Sequence, residues 1–432
     1  MLRLLLASGL LLFGTIKALR GGPFYGLLLY LFIAYFRPEM WIWTGELKAL
    51  NFSLIVGVYT VVSACFSRER IRFNGPMWLI VAFCVHGLVS TLLSPYVAWC
   101  LPWWQGFAKV TVITILIAGL VNSRERFRLT VLVLVFALGF EGVKQGWVHI
   151  LLAPDEQNIN SLEILGDNNG VAVGMLMLAA LLLALAQTTT NKWMKGLFGF
   201  MVLGVVFRSL TSYSRGGFLA FGAMCLTYLA RSKHRFRTAI MMVGVVFLLS
   251  LLPGQYWDRM NTITTEDETD ASVQGRLYFW QIAQKMGNEK PLLGVGTSGF
   301  QVAYNSYDQS GGAFGRSKAV HSMWFGVLAE QGYVGLLMLI SILIMALRAC
   351  GRARAAAKRV NQDDVFVFAG ALQTAIVTVA VGGSFLSYHY VEILWHFLGL
   401  SFALESVAQR ETVRQEAEAP ALVSGRTLLQ TG

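Results

Sequence analysis

Apolar runs of about 15 to 25 residues recur along the whole chain, and a helix that crosses a bilayer needs about 20. They fall at 2–19, 23–37, 48–66, 74–93, 102–121, 128–151, 170–187, 196–212, 217–231, 238–252, 322–347, 365–386 and 390–407. The first two are short enough to form one unit, so the pattern predicts about twelve transmembrane helices in an all-α polytopic integral membrane protein. Between 253 and 321 the pattern stops. Connections of that length are uncommon unless they have structure or function of their own, so this segment is expected to form a helix-containing cap over one membrane face. The expected organisation is N-terminal transmembrane helices at 1–252, the loop or cap at 253–321, C-terminal helices at 322–408 and a loose tail at 409–432.

Composition agrees. The chain is 55% hydrophobic, with a mean hydropathy of +0.57, well outside the range of soluble domains. The helices leave no linker of domain size, so one membrane domain is expected. The run from Met1 to Leu19 lacks an Ala-x-Ala cleavage signal and is followed by Arg20, which marks it as a retained helix.

The net charge of +11 could point to an acidic partner such as nucleic acid. Its distribution argues against that. Basic clusters lie at Arg68 to Arg72, Arg124 to Arg128, Lys192 and Lys195, Arg231 to Arg237, and Arg348 to Arg359, each between two apolar runs. This positive-inside spacing assigns those loops to the cytoplasm. By parity the segments near Ser94, from Pro154 to Asn169, Ser209 to Gly216, Pro253 to His321, and near Tyr388 face outward. Two Ser-Arg-Glu-Arg copies, at Ser67 and Ser123, have no wider similarity around them. The five cysteines show no metal-ligand spacing and read as small apolar fillers rather than a disulfide framework.

Inside the long segment, Thr264 to Asp270 is an acidic run without an EF-hand glycine, which reads as a solvated face. Ser272 can cap a helix through about Lys285, with Val273, Leu277 and Trp280 on one face. Glycines 294, 296 and 299 then break the chain.

Four outward positions could carry chemistry. Arg215, in Ser-Tyr-Ser-Arg-Gly-Gly, opens a helix and could hold phosphate with its guanidinium beside the positive helix end; snorkelling to the headgroups is the equal alternative. Arg276 on the loop helix reads alone as a surface contact, and beside Arg215 as a second phosphate contact. His321, where the loop re-enters the membrane, could take a proton from an acceptor hydroxyl or serve as a structural cap. Asp167 in Leu-Gly-Asp-Asn-Asn-Gly reads first as an N-cap, and otherwise could orient a sugar hydroxyl or an arginine together with Asn168. His389 and His396 read as structural, although His389 faces outward. No Cys/His cluster, Walker loop or Gly-x-Ser-x-Gly elbow occurs, which leaves zinc, nucleotide and serine-hydrolase readings without support.

Taken together, the outward Ser-Arg-Gly, the late loop with Gly-Arg, Leu293-Gly-Val-Gly-Thr-Ser-Gly-Phe300, His321-Ser322 and Glu330-Gln-Gly-Tyr-Val-Gly335 resemble the bacterial O-antigen ligase family, related to the O-antigen polymerases. The N-terminal third, with Tyr35-Phe-Arg-Pro-Glu39 and Phe66-Ser-Arg-Glu-Arg70, resembles its exosortase-associated O-glycosylation branch. The resemblance implies a membrane-embedded, GT-C-like glycosyltransferase of the inner membrane, active at the periplasmic face without metal or cofactor. It would move a glycan from undecaprenyl pyrophosphate to lipid A–core in lipopolysaccharide biosynthesis, with inversion. The family's essential arginines and histidine map onto Arg215, Arg276 and His321, with Asp167, Asn168 and His389 as further substrate contacts. A polymerase or a protein O-oligosaccharyltransferase would share this chemistry and differ in acceptor. A transporter would instead place ionisable groups near the bilayer midplane.

Overall fold

In the computed structural model every regular element among the described residues is helical, and one isolated bridge joins Leu162 and Gly166. The structure describes residues 2–38, 51–69, 71–153, 156–232, 254–261 and 271–428, with Phe236, Ala239, Ile240 and Val243. The expected span at 238–252, the acidic run Thr264 to Asp270 and the side chain of Ser272 therefore lie largely or wholly outside the described residues.

The helices are α1 (Leu2–Gly21), α2 (Pro23–Phe36), α3 (Phe52–Phe66), α4 (Gly75–Leu92), α5 (Val97–Leu120), α6 (Arg124–Leu152), α7 (Asn168–Thr188), α8 (Lys192–Leu210), α9 (Arg215–Arg231), α10 (Gly254–Asn261), α11 (Ala271–Glu289), α12 (Phe300–Tyr307), α13 (Met323–Arg359), α14 (Asp363–Gly382) and α15 (Glu392–Leu428). Six of them, α4, α5, α7, α8, α13 and α14 with its short extension to Phe385, are long and apolar enough to cross a membrane. Helices α2 and α3 are apolar but shorter. The chain is a multi-pass membrane protein. The first two apolar runs form two helices, because Gly22 turns the backbone at φ 82° and Pro23 opens α2 where a missing N–H costs nothing.

Helix α7 is the centre of the bundle, packed against α8, α9 and α14. Between helices in lipid there is little hydrophobic gain, so close packing at small residues takes over. Ala172, Ala179 and Ala180 are fully buried on α7, and Gly217 of α9 lies where an added Cβ would touch the Ala172 methyl.

Helix α13 is broken at Gly332 (φ 67°, ψ −169°), and the segment 291–298 docks into the break. Tyr333 N–H donates to the Pro291 carbonyl at 2.8 Å, Val295 N–H to Ala329 at 2.9 Å and Gly296 N–H to Glu330 at 3.0 Å. Hydroxyls of α4 and its C-terminal turn satisfy the other side: Ser94 donates to the Val295 carbonyl, and Thr91 accepts from Thr297 N–H at 3.2 Å. Buried backbone of an irregular segment needs such partners. Gly294 (φ 67°) is pressed against the Glu330–Gln331 backbone, where any Cβ would collide.

Helices α11 and α12 share a small apolar core of Phe279, Ile282, Ala283, Met286, Phe300 and Tyr304, closed by Val295, Val320 and Ala329. This corrects the face expected for α11. Val273 and Leu277 are exposed (41% and 51%), because the helix lays the Phe279–Ile282–Met286 stripe against α13.

The other end of the bundle is tied by charge. Arg126 grips Glu69 through both guanidinium nitrogens (2.5 and 2.8 Å), joining the two Ser-Arg-Glu-Arg copies. Arg124 pairs with Asp364 at 2.7 Å, and Arg354 donates to the Arg231 carbonyl at 2.9 Å. Helix α15 continues to Leu428, past the point where polar composition suggested a loose tail; its Ala, Glu and Gln residues are strong helix formers.

Candidate functional site

The end opposite those basic loops gathers the outward-predicted residues around two helix starts. Asp167 caps α7, accepting from Gly170 N–H at 2.9 Å, and Ser214 caps α9, accepting from Gly217 N–H at 3.0 Å. The loops before these helices are stitched together at Ser212, whose carbonyl accepts from Gln157 (2.9 Å) and Asn168 (3.1 Å). Asn168 is thus committed to the scaffold. Arg215 is the first residue of α9, so its guanidinium starts from a positive helix end.

Aromatic packing links Arg215 to the loop helix. Gly216 lies against Phe385, where an added Cβ would come to 3.1 Å of the phenylalanine Cβ. Phe385 faces Trp280 at 6.3 Å between ring centroids, and Trp280 stacks on Phe325 at 5.2 Å. The Trp280 indole N–H donates to the Val320 carbonyl at 3.1 Å, one residue before His321. Arg276 lies one turn before Trp280 on α11, so the same helical face carries both. Three distant stretches meet here.

His321 sits in the left-handed region (φ 49°), with its N–H donated to Ser387 Oγ at 3.2 Å. Its pKa is lowered, first by burial and then by the Arg276 charge; Asp167 opposes that shift and Lys318 adds to it. Asp167, besides capping α7, is therefore within electrostatic reach of His321. The imidazole is held neutral, with a free base lone pair available at neutral pH.

Beside this basic side lies a cavity of about 530 Å³, lined among others by Trp103, Glu163, Ser298, Gln301, Val320, Glu330, Ser387, His389 and Glu392. Val320 and Ser387 belong to both walls, so the cavity abuts the His321 backbone. His389 meets Glu330 at 3.1 Å through Nε2, and Glu330 also accepts the Ser298 N–H at 3.0 Å. The His389 ring packs on Gly326, where any Cβ would collide with it. Sequence reasoning placed His389 outward but missed Glu330 as its partner. The signal was present in the Glu330-Gln-Gly motif, whose glycine opens the break that turns Glu330 toward residues 294–298. His396 is structural: its Nδ1 shares a hydrogen bond with Tyr35 Oη at 2.7 Å, and its ring is fully buried. Among the described residues no group of His, Cys, Asp and Glu has the arrangement of a metal site.

Fold and site define a multi-pass helical membrane protein in which the Arg276 charge bears on His321 at one end of the bundle, where the helix opened by Arg215 also begins. Residues 200–340, which contain Arg215, Arg276 and His321, match the family model described as O-antigen ligase. Residues 1–169 match a second model, described as a family of unknown function. Comparison with curated proteins finds no match.

Proposed function

We propose that the protein is an O-antigen ligase: it transfers a glycan from undecaprenyl pyrophosphate to a sugar hydroxyl of lipid A–core, at the periplasmic face of the bacterial inner membrane. The family match over 200–340 supports a lipid-linked glycosyltransferase of the ligase and polymerase group. One observation carries the mechanism. His321 is kept neutral by burial and by Arg276, next to a helix start that bears Arg215.

In this reading the two guanidiniums hold the donor's pyrophosphate and take up the charge that develops on it as the anomeric C–O bond breaks. The acceptor oxygen forms the new bond to the anomeric carbon from the opposite face, which inverts that centre. Its proton passes to the His321 imidazole, and pyrophosphate-linked lipid leaves. Asp167 steadies the imidazolium that forms, since its charge favours protonated His321. Neither arginine requires a metal for this role.

The membrane orientation is supported by the basic loops at the far end, where the positive-inside rule assigns cytoplasm. About twelve spans, with the segment before His321 as a periplasmic cap over residues 253–321, complete the proposed topology. Reconstituted full-length protein, given undecaprenyl-pyrophosphate glycan and lipid A–core in EDTA, should form ligated product. His321→Ala, Arg215→Ala and Arg276→Ala should each lose at least 100-fold in rate. Growth of the lipid-linked glycan without transfer to lipid A–core would instead make the protein a polymerase, and transfer to a protein hydroxyl an oligosaccharyltransferase.

A further inference from the structure

Arg208, in the last turn of α8, is fully buried at the end of the bundle that also carries Arg215. A buried guanidinium is costly and persists only with partners. This one reaches two elements at once. Its Nε donates to Gln145 Oε1 of α6 at 3.0 Å, and its Nη2 donates to the Asn160 carbonyl in the loop before α7. Gln145 passes the contact on, donating from Nε2 to Glu141 at 2.8 Å, and the Glu141 carboxylate acts on Arg208 electrostatically. The reach is short because α6 and α8 touch backbone to backbone nearby: a Cβ on Gly146 would collide with the Gly204 carbonyl.

The loop that Arg208 holds in turn holds the start of α9. Asn158 N–H donates to the Thr211 carbonyl at 2.8 Å, and Gln157 Nε2 donates to the Ser212 carbonyl at 2.9 Å. Asn158 is itself anchored to α6, where its amide nitrogen meets His149 Nδ1 at 3.1 Å. Beyond this strap, Ser212 Oγ accepts the Ser214 N–H at 3.2 Å, and Ser214 caps α9. Between the two serines Tyr213 sits in the left-handed region, at φ 53°. A bulky residue adopts that conformation at a cost, and keeps it only where its surroundings impose it.

We propose that Arg208 is a positioning residue for glycan transfer: through the strap 157–160 it fixes the strained turn from Ser212 to Ser214 and so aims Arg215 at the donor's phosphate. The assignment rests on the transferase reading of Arg215. Arg208 is closed off from solvent and acts only through the strap. Its fork matters more than its charge, because the bridge needs donors on two sides of one planar group. Loosening the strap leaves every phosphate-binding group in the chain and spreads Arg215 over more than one placement. Donor binding weakens before proton transfer at His321 does.

The test compares reconstituted full-length wild type with two variants. Arg208→Lys keeps a charge opposite Glu141 and loses the fork; Gln157→Ala removes one bond of the strap at an exposed position that the fold tolerates. Transfer rates are measured against undecaprenyl-pyrophosphate glycan and lipid A–core separately, beside hydrogen exchange of the backbone amides at 211–217. The donor KM should rise at least tenfold in Arg208→Lys and at least twofold in Gln157→Ala. The acceptor KM should stay within twofold, and exchange at 211–217 should quicken in both. A merely structural role would lower kcat through loss of folded enzyme and leave the donor KM where it was. That result would overturn the proposal, as would unchanged exchange in both variants. Should Arg208→Lys fail to fold, Gln157→Ala decides by the same readings. No transfer by wild type, with exchange at 211–217 quickened in the variants, would sink the transferase reading and leave the role of Arg208 in fixing the start of α9 standing.

Discussion

Trp280 donates its indole N–H to the carbonyl of Val320 at 3.1 Å, which ties the helix bearing Arg276 to the residue preceding His321. The bond joins two parts of the chain 40 residues apart and fixes their register. Trp280→Phe keeps an aromatic ring against Phe325 and Phe385 and removes only the donor. A neutral hydrogen bond contributes about 0.5–1.5 kcal/mol, so glycan transfer should fall about two- to twelvefold with the protein still folded. An unchanged rate in the transfer assay would mean that stacking alone positions the loop helix.

The pH dependence follows from His321. Its pKa lies below the ordinary 6.5, through burial and the Arg276 charge, so the neutral form persists to lower pH than in free histidine. Transfer should therefore decline on acidification with an inflection below 6.5. Lys318→Gln removes a charge that opposes protonation and should move the inflection upward; Asp167→Asn removes one that favours it and should move it downward. The pH–rate profiles of the three proteins check the sign. The same depressed pKa makes the folded state the weaker proton binder, so the stability present above the unfolded value is lost as pH falls from that value through the lower folded one.

Glycine at 294 is required by space and by conformation together. Its φ of 67° is in the left-handed region, and a Cβ would meet the Glu330–Gln331 backbone, which cannot swing aside. Gly294→Ala should cost about 1–3 kcal/mol from strain alone and more from displacement of Glu330. Thermal unfolding in detergent should show a midpoint lowered by several degrees, with transfer lost in step. Gly275→Ala, on the same loop, meets only ordinary contacts of 3.5 Å or longer and serves as the mild comparison.

At the far end, Glu69 and Arg126 form a bidentate pair that is partly exposed (37% and 23%). Screening limits what such a pair contributes, to about 0.5–1 kcal/mol. A double-mutant cycle with Glu69→Gln and Arg126→Gln should give a coupling of that size by unfolding, shrinking at high salt. Transfer activity should change by less than twofold, since the pair lies away from His321.

Much of the helical layout was legible in the chain. The run at 170–187 corresponds to α7 (Asn168–Thr188), and the run at 365–386 to α14 with its extension to Phe385, because length and apolarity decide what can be buried in a bundle of this kind. One cap was legible too: Asp167 is a short polar side chain just before an apolar run, and it accepts the expected backbone N–H from Gly170. The buried face of α11 was not. Its sequence offers more than one apolar stripe, and only contact with α13 chooses Phe279, Ile282 and Met286 over Val273 and Leu277.

By itself the sequence determined that the protein is built of apolar helices, where several of them lie, and which residue types could hold phosphate or move a proton, since these follow from periodicity, hydropathy and side-chain chemistry. Only the tertiary structure decided that the Leu293–Phe300 turn enters the break at Gly332, that Glu330 thereby meets His389, and that Arg276 bears on His321. Those contacts join residues tens of positions apart. Their geometry depends on how the helices pack around α7 and α13, a property that no local stretch of sequence contains.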